Sequence, residues 1–238
     1  SSPSRPTTAR ALQRRIRDAL KAVADPAKAG PMQAYMKSEM PFLGVQKPHR
    51  VRALKPVLSA AEFADGEGFI DALTTVWDGA KHREERYAVL AVARDRRQAA
   101  HRVELGMNVL PLYEHFIVTG AWWDLVDETA IKLVGELLER STRDTTLVLR
   151  AWARDPDLWK RRTSIIAQVG RKDATDRRLL FEGLAPNLED SDFFIRKAIG
   201  WALRDLAWTD PEAVRAIVAE NEDRMSGLSR REALKNLG

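Results

Sequence analysis

The chain of 238 residues carries 39 Lys and Arg against 34 Asp and Glu, a net charge of +5, and contains no cysteine. Disulfides, thiolate zinc sites, iron–sulfur clusters and cysteine nucleophiles are thereby excluded, which favours a cytoplasmic setting, nucleoid-associated in a bacterium. No stretch approaches the ~20 apolar residues of a membrane span, and residues 1–10, rich in Ser, Thr, Pro and Arg, lack the apolar run of an export signal and are expected to form a disordered tail.

From residue 11 onward nearly every segment reads as helix. Residues 11–23 are rich in Ala, Leu and Arg; 62–77, 83–93, 122–140, 145–153, 158–169, 176–184, 194–208 and 211–220 repeat the helical period, and no alternating strand-like run intervenes. Asp155-Pro156 and Asp210-Pro211 each offer an N-cap followed by a first-turn proline, and Gly120 precedes a Trp-rich helix. Basic pairs at Arg161-Arg162, Arg196-Lys197 and Arg230-Arg231 stand near the starts of apolar helices, 35 and then 34 residues apart. That period predicts stacked helix pairs, all-α, in which one pair cannot bury its apolar face alone. A curved stack offers a concave face whose basic residues can track a phosphate backbone.

Three places break the core pattern. In 194–208, Ile195, Ala198, Ile199, Ala202, Leu203 and Leu206 form the apolar stripe, while Trp201 falls to one side with Phe194, Lys197, Arg204 and Trp208. That aromatic and cationic face suits a sugar-phosphate backbone, or else packs on the next repeat. In 122–140, Trp122, Leu125, Val126, Ala130, Leu133 and Leu137 read as core, leaving Trp123 and Asp127 one turn apart on a flank. A carboxylate beside an indole can stabilise a cationic transition state, or it is a plain surface residue. Arg162 lies in line with Leu158, Ile165, Ile166 and Val169, so it needs an acidic partner or an opening onto a polar groove. Elsewhere the four histidines show no paired metal spacing, no phosphate-binding glycine loop or nucleophile elbow is present, and Glu84-Glu85 and Glu189-Asp190 read as solvated charges.

Four blocks together resemble the AlkD branch of the DNA alkylation repair family. They are Met32-Gln33-Ala34-Tyr35-Met36-Lys37 with Phe42-Leu43-Gly44-Val45-Gln46; the run Trp122-Trp123-Asp124-Leu125-Val126-Asp127; Leu158-Trp159-Lys160-Arg161-Arg162; and the run from Phe193 to Trp201. The resemblance implies one HEAT-like repeat domain over 11–238 that acts as a monomer, without cofactor or metal, on duplex DNA containing alkylated purines. It would hydrolyse the N-glycosidic bond of cationic N3- or N7-alkylated purines, bulky adducts included, without flipping the base; the alternative is a non-enzymatic HEAT-repeat scaffold for DNA or protein. The family's two nucleotide-contacting tryptophans and its aspartate fall on Trp123, Trp201 and Asp127, which are expected to be catalytic; its cleft arginine falls on Arg162, expected to bind the DNA by holding a phosphate or orienting the lesion strand, and its DNA-contacting Tyr and Gln on Tyr35 and Gln46. Phe194 and Lys197, beside Trp201, are expected to join the DNA contacts. Where relatives often carry a basic residue after the arginine helix, this chain has Gly170, followed by Arg171 and Lys172.

Overall fold

The computed structural model describes residues 5–238. It is all-helical, with 74 % of residues in helices and no strand among those described. No helix in that range is long and apolar enough to cross a membrane. The chain divides into two compact units, 1–112 and 113–238.

The N-terminal unit is built from α1 (Ala9–Lys21), α2 (Pro26–Met36), α3 (Lys47–Ala60), α4 (Gly66–Asp78), α5 (Arg83–Arg94) and α6 (Ala99–Leu105). The expected tail over residues 1–10 lies partly outside the described residues. Its later part is ordered into the unit: Thr7 is buried and its backbone amide donates to Glu62 O, while the Thr8 side chain caps α1. Leu12, Ile16 and Leu20 form the buried stripe of α1, which packs on α3, α4 and α5. Helices α2 and α3 stand out less in the sequence because Pro31 and Pro56 interrupt their interiors and blur the period.

Glu84 and Glu85, read from the sequence as solvated charges, are both completely buried. Glu84 accepts hydrogen bonds from the backbone amides of Leu43, at 2.9 and 3.0 Å, and Val45, at 2.9 Å. Glu85 accepts from Arg17 Nε at 2.7 Å and from the amides of Lys81 and His82 at 2.9 and 2.8 Å. Sequence adjacency to other charges suggested solvent; the tertiary fold instead uses these carboxylates to satisfy backbone donors that have no helical partner.

The segment held by Glu84 is equally demanding at Gly44. Its φ is +83°, and a Cβ there would come within 1.9 Å of Asp25 O. We expect Gly44→Ala to lose about 2 kcal/mol or more, since left-handed backbone alone costs an L residue ~1–2 kcal/mol and the contact adds to it. Urea denaturation measures this; a loss under about 0.5 kcal/mol would mean that the segment shifts freely.

The C-terminal unit contains most of α7 (Leu110–Gly120), then α8 (Trp123–Glu128), which passes through a π-helical stretch (Thr129–Val134) into α9 (Gly135–Arg140). There follow α10 (Thr142–Trp152), α11 (Leu158–Ile166), α12 (Arg177–Leu184), α13 (Phe193–Ala207), α14 (Pro211–Glu220) and α15 (Gly227–Leu234). The repeat inferred from the basic pairs is physically present: α11 packs on α13, and α13 on α15. The N-caps of these helices, Asp157, Asp192 and Ser226, keep the same spacing, and the first two are each preceded by an aspartate that accepts the cap residue's amide, Asp155 and Asp190. Asp155-Pro156 therefore lies just before the helix, and the cap is Asp157, whereas Asp210 caps α14 with Pro211 in its first turn as expected. The α13 stripe from Ile195 to Leu206 is buried in one core with Ile165, Ile166, Val214 and Ala233.

Candidate active site

The site grows from the first turns of α8, α11 and α13. Helix α7 stops at Gly120; Ala121 turns the chain through left-handed backbone, φ +45°, and Trp122 takes extended backbone as the N-cap of α8. Leu125 and Val126 are fully buried. They fix the rotation of α8 so that Trp123 and Asp127, one turn apart, are only half-buried on its flank. The π-helical stretch begins two residues later, where the Thr129 hydroxyl donates to Leu125 O at 2.8 Å. Widened turns of this kind recur at functional sites because they re-aim neighbouring side chains.

Arg162 occupies the apolar side of α11 and is 5 % exposed. All three of its nitrogens donate: Nε to Asp127 Oδ1 at 2.8 Å, Nη2 to Asp127 Oδ2 at 2.9 Å, and Nη1 to the carbonyl of Phe194 at 2.6 Å. The sequence left an acidic partner or a polar groove open for this residue, and the partner is Asp127. The guanidinium also lies 5.9 Å from the centre of the Trp201 ring and 6.0 Å from that of Phe194. One cation thus ties the α8 carboxylate to the first turn of α13 and reaches the indole two turns further along.

Burial pushes the Asp127 carboxyl above its ordinary pKa, and Asp124 adds to this, while the hydrogen bonds and charge of Arg162 pull the other way. The side chain keeps 17 % of its surface, against 6 % for Arg162. The carboxylate side chain therefore keeps some access to solvent, while the cation that orients it is hidden.

Phe194 is wedged among aromatic rings, 5.0 Å from both Trp122 and Trp159 and 5.4 Å from Phe193. Trp122, placed with the core in the sequence pattern, is half-buried, and its Nε1 is buried without a hydrogen-bond partner. This cluster sets the position of the Phe194 carbonyl that Arg162 uses, and the apolar period of α8 gave no sign of it. Trp201 is half-buried against the core of the unit. Lys197 lies 3.3 Å from Glu232, which Arg204 also engages at 2.8 Å, so both cations of the expected DNA-facing surface are paired within the protein. In the N-terminal unit Tyr35 is 74 % exposed, and Gln46 is exposed at the N-cap position of α3, its Oε1 accepting from Lys28 Nζ at 2.9 Å.

The Asp127–Arg162 pair spans 35 residues, the same interval as the repeat. Asp127 on α8 and Arg162 on α11 are one repeat interval apart, as are Arg162 and Lys197 on α13. Extending the period of the basic pairs one step toward the N-terminus would have found the partner. No group of three His, Asp or Glu that could hold a metal occurs among the described residues.

A family model described as DNA alkylation repair enzyme matches residues 16–237. Among solved structures, one described as "Predicted DNA alkylation repair enzyme from Enterococcus faecalis" is 25 % identical, with a TM-score of 0.77, over 90 % of this chain and 97 % of that one. No curated protein matches.

Proposed function

The chain belongs to the DNA alkylation repair enzyme family, and on that footing we propose that it is a monofunctional DNA glycosylase acting on cationic N3- or N7-alkylated purines in duplex DNA. The observation that carries this reading is the partly exposed Asp127 carboxylate, held in both oxygens by a buried Arg162 and sharing its surroundings with Trp123 and Trp201.

Alkylation at N3 or N7 makes the purine a cation. Breaking the C1′–N bond sends the bonding pair to the base, which departs neutral and needs no proton from an acid. The sugar becomes oxocarbenium-like, water adds to C1′, and one proton is released. The protein's task is to stabilise that cation and place the water. Asp127 does both, and Trp123 and Trp201 offer ring faces to the deoxyribose. Arg162 is a positioning residue, because one N–H from each of its three nitrogens is committed to Asp127 or Phe194 and its side chain is almost fully buried. Tyr35 and Gln46 contact the backbone, as do Phe194 and Lys197, the latter by exchanging Glu232 for a phosphate. A site of this kind, gripping the backbone and leaving the base stacked, works without base flipping and accommodates bulky adducts.

Base release from duplexes carrying 7-methylguanine, 3-methyladenine or a bulky N3 adduct tests the proposal against an unmodified duplex. Release from none of them, with DNA binding retained, would leave a helical-repeat scaffold as the better reading.

The proposal carries a pH dependence. The ionised form of Asp127 is the active one and its pKa is raised, so the single-turnover rate should fall on acidification with a midpoint above the ~3.9 of an ordinary aspartate. An acid limb of the same position in Asp127→Asn would assign the titration to another group.

A further inference from the structure

The cations that the repeat pattern offers to a phosphate backbone are largely committed within the protein. Arg161 meets Asp190 at 3.1 Å, Arg162 meets Asp127 at 2.8 Å, Lys197 meets Glu232 at 3.3 Å and Arg230 meets Glu222 at 2.9 Å. A cation that already faces a carboxylate gains less from a phosphate, because it must first give that partner up.

Helix α3 of the N-terminal unit is the opposite case. No Asp or Glu occurs between Glu39 and Glu62, while α3 carries Lys47, His49, Arg50, Arg52 and Lys55. Leu54 and Val57 are buried, and the Arg50 guanidinium folds back over the Tyr87 ring at 4.4 Å. At ~100° per residue, Arg52 lies opposite this buried side, flanked by His49 and Lys55. These three and Lys47 are exposed. Arg52 donates from Nη2 to His49 Nδ1 at 2.9 Å, and none of Lys47, Arg52 and Lys55 meets a carboxylate among the described residues. At the C-terminal end of the helix the row continues with Arg15 of α1, exposed and likewise without a carboxylate, whose Nη1 lies 3.5 Å from the Ala60 carbonyl. The helix axis over this row is about 20 Å long.

Like charges gathered on one face repel one another, and a polyanion relieves that repulsion. Among the large apolar side chains of α3 only Val51 is exposed, so the face lacks the apolar anchors of a membrane-binding helix. We infer that the exposed side of α3, with Arg15 at its end, is a binding surface for the sugar-phosphate backbone of duplex DNA, and that the salt dependence of DNA binding resides chiefly there and not in the basic pairs of the repeat. The inference rests on DNA being the substrate, as the family supports, and not on the base-excision chemistry.

The test titrates a fluorescein-labelled, unmodified duplex with the full chain between about 50 and 200 mM salt. Lys47→Ala, Arg52→Ala and Lys55→Ala together should weaken binding at least tenfold at the lower salt and reduce the salt slope by about 2–3, since each phosphate contact contributes roughly 0.9. The charge-preserving set Lys47→Arg, Arg52→Lys and Lys55→Arg should keep both near wild type, as should Arg230→Ala with Arg231→Ala. The thermal midpoint should hold in all of them, because the replaced α3 side chains are exposed and Arg230 and Arg231 make only surface contacts. In wild-type protein the amide signals of Val51 and Lys55 should shift when duplex is added. Wild-type affinity and slope in the triple alanine variant would overturn the inference, as would an equal fall in the Arg230/Arg231 variant, which would return the electrostatic contact to the repeat. Tighter binding to phosphatidylserine vesicles than to duplex would also overturn it, by making the face a membrane contact. A wild-type chain that binds duplex through α3 yet releases no alkylated base would support this inference while ending the glycosylase reading.

Discussion

Asp127→Asn is expected to slow excision of 7-methylguanine by ~10²–10³-fold, the usual effect of removing one preorganised electrostatic group, with DNA affinity kept or slightly raised. Asparagine preserves size and can still accept from one arm of the Arg162 fork, so the carbonyl bond to Phe194 and the rotation of α8 survive. What is lost is the charge opposite the developing sugar cation. The effect should be smaller for 3-methyladenine, whose bond is already labile. Arg162 is left as a buried cation without its counter-charge, so stability falls as well, and the rates must be compared well below the variant's melting temperature. Single-turnover excision with a parallel binding titration decides the matter. An Asp127→Asn protein that excises 7-methylguanine at the wild-type rate removes Asp127 from the mechanism.

Arg162→Met should show the second large effect, on stability. It leaves a carboxylate that is only 17 % exposed without either of its two charge-assisted bonds. Breaking a buried pair from one side costs about 3–5 kcal/mol, whereas replacing both partners by apolar side chains is often close to neutral. The double variant Arg162→Met with Asp127→Leu should therefore recover most of that loss, giving a strongly non-additive cycle in denaturant unfolding. Strictly additive costs would show that the pair is not energetically coupled. With the fork gone, burial acts on Asp127 unopposed, and the acid limb of the excision rate should move further up in pH. If Arg162 were chiefly a phosphate ligand, the single variant would instead lose DNA affinity while keeping its stability.

The helical period was sufficient to find most of the architecture. The stripe of α13, the buried flank of α8 and the 35-residue rhythm of the basic pairs are properties of side-chain type and spacing, and burial follows them closely. The same period marked Trp123, Asp127, Arg162 and Trp201 as residues that a plain core does not require, because a charge or an indole off the stripe is visible without knowing its neighbours. What the sequence by itself could not decide is which group faces each of them. Arg162 required a partner or a groove, and only the packing of α11 between α8 and α13 selected Asp127 and the Phe194 carbonyl. Lys197 shared a helix face with Trp201, yet its nearest anion is Glu232 on the following pair. Glu84 and Glu85 looked solvated because local sequence reports on neighbouring charges; they are buried because distant backbone amides, brought in by the fold, needed acceptors. Periodicity fixes the direction in which a side chain leaves its helix, and tertiary structure alone supplies the atoms it meets there.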